Sequence, residues 1–235
     1  MSNSHLLIAG SIAIDTIVTP HERRENVLGG SVTYALVAAH SFCSTSVVGI
    51  IGSDFPQKGY NLYRKLAVNL DDLQEAKGQT FRWGGRYNKN WNERDTLFTE
   101  LGVFSDFTPV LSNINQNVKT ALLANIHPDL QQTVIDQCNA ELIVLDTMNL
   151  WINTTRLQLD NVLKYVSILL VNKNEAELLT GYSSPEKAGQ KLLQYGMEKV
   201  VIKLGSHGAL LIDKINQIRI GAYPVKNVVD PTGAG

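Results

Sequence analysis

The sequence predicts an α/β fold, a Rossmann-like, mostly parallel sheet with helices on both faces plus a small β-sheet excursion. Three observations predict it. Short, nearly continuous apolar runs such as 46–51, 141–145 and 168–171 read as strands buried on both faces. Helical patterns separate them, and strands joined through helices need crossover connections, hence parallel neighbours. One stretch, 80–104, breaks the rhythm, with aromatic residues on either side of an Asn-rich turn.

Taken in order, residues 6–14 read as the first strand, followed at once by Asp15. Residues 17–27 are more polar, carry Pro20 and a charged run, and form an excursion from the core. Gly29-Gly30 opens a helix with apolar positions Val32, Ala35, Leu36 and Ala39. A strand at 46–51 and a helix at 59–68 follow. Within the interruption, Phe81, Trp83 and Arg86-Tyr87 belong to one strand, and Thr96, Phe98 and Thr99 to its partner. Beyond it, strands at 120–124, 141–145, 168–171 and 199–204 alternate with helices at 129–137, 157–165, 175–179 and 185–195. Gly181 ends the third of these helices. Residues 209–212 and 217–220 form a hairpin. With no repeat and no low-complexity linker, 1–235 reads as a single domain with excursions at about 16–28 and 79–104.

The 235 residues suffice for a large core, burying roughly 70–75% of the unfolded surface. With 44% hydrophobic residues and a net charge of -1, the chain lacks the basic footprint of a nucleic-acid binder. No segment is apolar enough over a sufficient length to span a bilayer, and 6–14 lacks the basic flank of a signal peptide. Cys43 and Cys138 stand apart, without metal-ligand spacing, which fits a reducing cytoplasm.

In such sheets ligands sit beyond the carboxyl ends of the strands. Asp15, Asn125, Asp146, Asn172, Gly205 and Asp230 all follow predicted strands closely. A carboxylate such as Asp15 accepts from two vicinal hydroxyls, as on a sugar; it also caps turns. Gly29-Gly30 lets backbone approach a ligand hydroxyl, or simply makes a tight turn. Asn172 and Glu175, three apart at a helix start, suit a hydrated Mg²⁺ near phosphates or an ordinary N-terminal cap. In Lys203-Leu204-Gly205-Ser206-His207-Gly208, the glycines let a nucleotide lie against backbone and Lys203 can meet a phosphate; a hairpin turn with a solvated lysine is the plain alternative. Arg82 and Arg86 share a strand face, able to close over an anionic substrate or to lie solvated on an edge. Finally, Gly233, Ala234 and Gly235 make a nest of N–H groups for an oxyanion.

In chain order, Gly10-Ser11, Asp15, Gly29-Gly30, Asn172-Lys173-Asn174-Glu175, Lys203-Leu204-Gly205 with Gly208, and Asp230-Pro231-Thr232-Gly233-Ala234-Gly235 resemble the motifs of the ribokinase-like (PfkB) family of carbohydrate and nucleoside kinases. The resemblance spans the chain, and its last motif is the most specific. It implies ATP- and Mg²⁺-dependent phosphorylation of a hydroxyl on a sugar or sugar-like substrate. By position, Asp15, Gly29, Gly30, Tyr34, Arg82 and Asn125 fall to the substrate. Asn172, Glu175, Lys203, Gly205 and Gly208 fall to the nucleotide, with Glu175 at the metal, and Gly233, Ala234 and Gly235 to the charge on the transferred phosphoryl group. The two excursions would form a β-sheet lid, through which two copies could pair.

Two departures from the family pattern matter. Many members carry Asn four residues after the Gly-Gly pair; here that residue is Tyr34, which suits a ring-bearing substrate and points to a nucleoside kinase as the alternative. The family's catalytic Asp follows its G-A-G motif, a position just beyond Gly235. The chain is therefore expected to be a C-terminally truncated, inactive fragment, since loss of a general base costs about 10²–10⁴-fold in rate. A non-catalytic nucleotide- or sugar-binding regulatory protein is the competing class.

Overall fold

The computed structural model describes residues 5–88, 94–226 and 232. The chain divides into two compact units, one of Met1–Val118 with Gln137–Asn139 and the other of Lys119–Asp136 with Ala140–Gly235.

The first unit contains β1 (His5–Ala9), β2 (Ala13–Val18), β3 (Arg23–Gly29), α1 (Ser31–Ala39), β4 (Ser44–Gly52), α2 (Gln57–Leu66), β5 (Leu73–Ala76), β6 (Arg82–Tyr87), β7 (Arg94–Glu100) and the short α3 (Asn113–Gln116). Parallel strands β1, β4 and β5 pair with β4 in the centre. All of β4 from Thr45 to Gly52 is buried, as its run of apolar and small residues requires. A smaller sheet runs in the order β3-β2-β6-β7, with β2 and β6 parallel and the outer pairings antiparallel. The antiparallel interruption read from 80–104 is thus present as β6 and β7.

The start of the chain differs from the sequence reading. Residues 6–14 are not one strand: β1 ends at Ala9 and β2 begins at Ala13. The hydrogen bonds show why. Gly10 N–H donates to Val48 O at 3.3 Å, whereas Ile14 N–H donates to Phe81 O at 2.9 Å, so the chain changes sheets between them. Both segments are buried and apolar, so hydropathy carries no trace of the switch. Asp15 therefore lies within a strand of the smaller sheet rather than at the exit of the first strand.

The second unit contains β8 (Thr120–Leu123), α4 (Pro128–Ile135), β9 (Leu142–Asp146), α5 (Asn149–Thr154), α6 (Arg156–Leu163), β10 (Ile168–Asn172), α7 (Lys173–Thr180), α8 (Pro185–Leu192), β11 (Lys199–Lys203), β12 (Ala209–Asp213) and β13 (Gln217–Ile220). Its strands run β13-β12-β11-β10-β9-β8, parallel from β8 to β11 and antiparallel through the final hairpin. Local signals set the helix ends. Pro128 and Pro185 open α4 and α8, and Gly181 ends α7 in the left-handed region at φ 78°. Ile143, Leu145, Leu169, Val171, Val200, Ile202, Leu210 and Ile212 form one buried face of these strands, with α7 and α8 packed along β10, β11 and β12. Across the described residues, no helix is long and apolar enough to cross a membrane.

Candidate active site

In the first unit, the polar centre is Asp15 on β2, only 4% exposed and paired in register with Val27 of β3. Two residues further along β3 is Gly29, and a Cβ there would fall 1.9 Å from Asp15 Oδ2. The carboxylate fills the space that any other side chain would need. Gly30 follows at φ 86°, where a Cβ would sit 2.4 Å from the Ser11 carbonyl oxygen. Both glycines are thus required by contact, the first by the Asp15 side chain and the second by backbone.

Gly30 has no side chain to cap α1, and Ser11 supplies the cap from the β1 exit. Its hydroxyl accepts the Ser31 N–H at 3.2 Å and its carbonyl accepts the Val32 N–H at 3.0 Å, while Ser31 Oγ accepts the Ser11 N–H at 3.1 Å. This reciprocal pair ties the end of β1 to the start of α1 and so frames Asp15. Sequence reasoning had Ser11 only as part of a motif and missed Ser31; a serine at the first helical position was the available signal. Tyr34 is half-buried one helical turn beyond Gly30.

Arg82, at the start of β6, is already engaged. Its guanidinium donates to Asp54 Oδ2 at 2.8 Å and to Asn26 Oδ1 at 3.2 Å. Asp54 Oδ1 accepts the N–H and hydroxyl of Thr80 at 2.7 and 2.8 Å. Partial burial pushes the Asp54 carboxyl upward, but the Thr80 and Arg82 bonds outweigh it and hold the group below its usual range. Arg86 is exposed.

In the second unit, register places three side chains on one sheet face. Asn172 is level with Lys203, and Leu170, two residues earlier on the same face, is level with Asp146. Lys203 reaches across β10, and its ammonium lies 3.2 Å from Asp146 Oδ1. Burial pushes the Asp146 carboxyl up, and the neighbouring ammonium only partly offsets it. Asp146 stood among the strand exits in the sequence; its pairing with Lys203 depends on strand order, which the sequence does not display.

Asn172 and Glu175 form a capping box. The Asn172 amide oxygen accepts the Glu175 N–H at 2.9 Å, and Glu175 Oε2 accepts the Asn172 N–H at 2.7 Å. The plain alternative weighed for this pair is therefore real, and it fixes both oxygen-bearing groups at the start of α7. Gly205 opens a 3₁₀ turn, and a Cβ on it would meet nothing within 4 Å, so this backbone is open to a ligand. Gly208 instead packs on the hairpin, 1.9 Å from Ile220 O were a Cβ present. Asn125, just past β8, accepts the Trp151 indole N–H at 2.9 Å and lies 3.2 Å from Met148 Sδ. Gly233, Ala234 and Gly235 lie outside the described residues.

The donor set fits Mg²⁺ in one manner only. Among the described residues no cluster of three His, Cys, Asp or Glu side chains is placed to hold a metal. Carboxylate and amide oxygens at the start of α7 suit a hard cation that keeps most of its waters and takes further oxygens from phosphates.

Comparison with known proteins bears on both units together. Residues 5–235 match the model of the pfkB family carbohydrate kinases. A cytidine kinase of Thermococcus kodakarensis is 25% identical over 237 residues, covering 98% of this chain and 84% of that protein. Among solved structures, an E. coli protein described as Ribokinase II in its apo form superposes with a TM-score of 0.83 at 18% identity, over 98% of this chain and 82% of that one. The Burkholderia thailandensis nucleoside kinase in complex with inosine gives a TM-score of 0.75 at 20% identity, over 97% and 80%. With a family match running through both the glycine turn and the capping box, this chain belongs to the pfkB family of carbohydrate kinases.

Proposed function

We propose that the protein transfers the γ-phosphoryl group of ATP, with Mg²⁺, to a hydroxyl of a sugar or sugar-like acceptor, both units serving one kinase domain. The observation that carries this reading is the Asp15 carboxylate seated in the space of the missing Gly29 side chain. A buried carboxylate beside a glycine turn is a group that accepts from the neighbouring hydroxyls of a sugar. Gly29, Gly30 and Tyr34 line that acceptor region. Arg82 reaches an anionic acceptor only by leaving Asp54, so a neutral sugar is the better match.

On the nucleotide side, Lys203 exchanges Asp146 for a polyphosphate. Burial raises the Asp146 carboxyl, so on losing its counter-ion it can take up a proton, while the ammonium gains the several charges of a polyphosphate. Asn172 and Glu175 hold the hydrated Mg²⁺, and Gly205 lets the nucleotide rest on backbone. The E. coli relative solved in complex with ATP and Mg²⁺ supports these two cofactors, with a TM-score of 0.81 at 18% identity. The four-stranded sheet acts as a lid that excludes water, favouring transfer to the acceptor over hydrolysis. Paired lids make the protein a homodimer, which sedimentation velocity tests directly.

Within this reading a nucleoside acceptor has specific support: the cytidine kinase relative, the inosine-bound structural neighbour, and Tyr34 at a position suited to a ring. The test is calorimetric titration with ribose, cytidine and inosine, followed by ATP-dependent phosphorylation of whichever binds. Binding that Asp15→Asn abolishes supports the reading; no binding of any probe overturns it. Binding without turnover moves the protein to the regulatory class. Turnover by these 235 residues alone ends the expectation that the catalytic base is missing.

A further inference from the structure

Two successive glycines place few steric limits on their own backbone, so the Gly29-Gly30 peptide must be held by something else. Ser11 and Ser31 hold the residues after it. On the other side Gly29 pairs with Ala13 of β2, and two hydroxyls inside the first unit hold its carbonyl. Thr33 Oγ1, on α1, lies 2.5 Å from the Gly29 carbonyl oxygen, and the Tyr63 hydroxyl, on α2, lies 2.8 Å from Thr33 Oγ1. A carbonyl only accepts, so the single hydroxyl proton of Thr33 goes to Gly29 and Tyr63 must donate to Thr33. The relay has one direction. Thr33 is 6% exposed and Tyr63 is fully buried, with Phe55 edge-on to its ring at 5.9 Å. Burial keeps the phenol protonated far above neutral pH, so the donor at the head of the relay is always present.

We infer that Thr33 and Tyr63 are positioning residues for the acceptor: their relay fixes the Gly29 carbonyl, hence the Gly29-Gly30 peptide, hence the seat on which the Asp15 carboxylate rests. Rotation of that peptide would turn the Gly29 carbonyl and the Gly30 N–H together, changing the backbone groups presented beside the Asp15 carboxylate. The inference rests on the reading of Asp15 as the acceptor-binding carboxylate. It adds α2 to the elements that determine acceptor affinity, although no residue of α2 was a candidate in the sequence.

The experiment measures two affinities in each variant, for an acceptor probe (cytidine and ribose, each alone) and for a non-hydrolysable ATP analogue with Mg²⁺. Tyr63→Phe and Thr33→Val each remove one hydroxyl while preserving shape. Each is expected to weaken the acceptor by about tenfold and leave the nucleotide within about twofold, the scale of one unsatisfied buried polar group. Thr33→Ser, which keeps the hydroxyl, restores acceptor affinity. Melting curves run alongside confirm folding at the assay temperature. Equal loss of both ligands, or acceptor affinity unchanged in Tyr63→Phe and Thr33→Val while Asp15→Asn abolishes it, overturns the positioning role. Indifference of acceptor binding to Asp15→Asn overturns the reading beneath it, and the inference falls with it.

Discussion

In the first unit Asp15 occupies the space left by a missing Cβ; in the second, Asp146 faces a counter-ion 3.2 Å away. The first arrangement is steric: it leaves no room for a side chain at residue 29. The second is electrostatic and exchangeable, since an ammonium released from one anion is free to meet another. Under the proposed function that difference has a use: discriminating among neutral hydroxyls calls for fixed geometry, whereas accepting a highly charged nucleotide calls for charges able to regroup.

The sharpest way to break the comparison is Gly30→Ala. A non-glycine residue at φ 86° with its Cβ 2.4 Å from a carbonyl oxygen meets both backbone strain and a clash. Chemical denaturation should show a loss of about 3 kcal/mol or more; a loss below 1 kcal/mol would mean that the turn is softer than steric control allows. Next comes Gly29→Ala, whose methyl group displaces the Asp15 carboxylate rather than backbone. Acceptor affinity should fall about 100-fold with nucleotide affinity retained, and calorimetry separates the two.

On the electrostatic side, Glu175→Gln keeps an acceptor oxygen for the capping box but removes the charge. Stability should change by less than about 0.5 kcal/mol, while Mg²⁺-dependent nucleotide affinity falls about tenfold. Asn172→Ala should do the reverse first, costing about 1 kcal/mol in urea unfolding through loss of the cap.

The smallest effect is a pair of titrations read by carboxyl carbon NMR, with Asp54 below the ordinary aspartate range and Asp146 above it. The signs of the linked stability are opposite. Asp54, depressed on folding, stabilises above its unfolded pKa of about 4 and loses that contribution as pH falls through its folded value. Asp146, raised on folding, penalises the folded state increasingly as pH climbs from about 4 through its folded value. Equal midpoints would erase the contrast between the two units.

Much of this was legible in the chain. Strand and helix order in the second unit followed from apolar periodicity, and Gly181 and the Asn172–Glu175 spacing marked the two ends of α7 correctly. Local chemistry governs those features, and the sequence carries local chemistry. The break between β1 and β2 was invisible because both strands are buried, and β5, four residues with a single apolar side at Leu73, gave too short a pattern. Helix α5 fell between the expected strand at 141–145 and helix at 157–165, where no element was expected. Contacts between distant positions were the least legible. Nothing near Arg82 announces Asp54, and Thr33 and Tyr63 look like ordinary positions on two amphipathic helices.

One irregularity in the smaller sheet reaches further than its size. Between Asp15 and Ile17 the pairing with β3 slips from Val27 to Arg24, and Asn26 sits in the surplus at φ 55°. The same residue lends its side-chain oxygen to Arg82 and its carbonyl to the Lys58 ammonium at 3.1 Å. An in-frame loss of that single codon would therefore straighten the ribbon and strip two cations of a shared anchor at one stroke. Selection on this hairpin should consequently tolerate swaps of residue type better than changes of length.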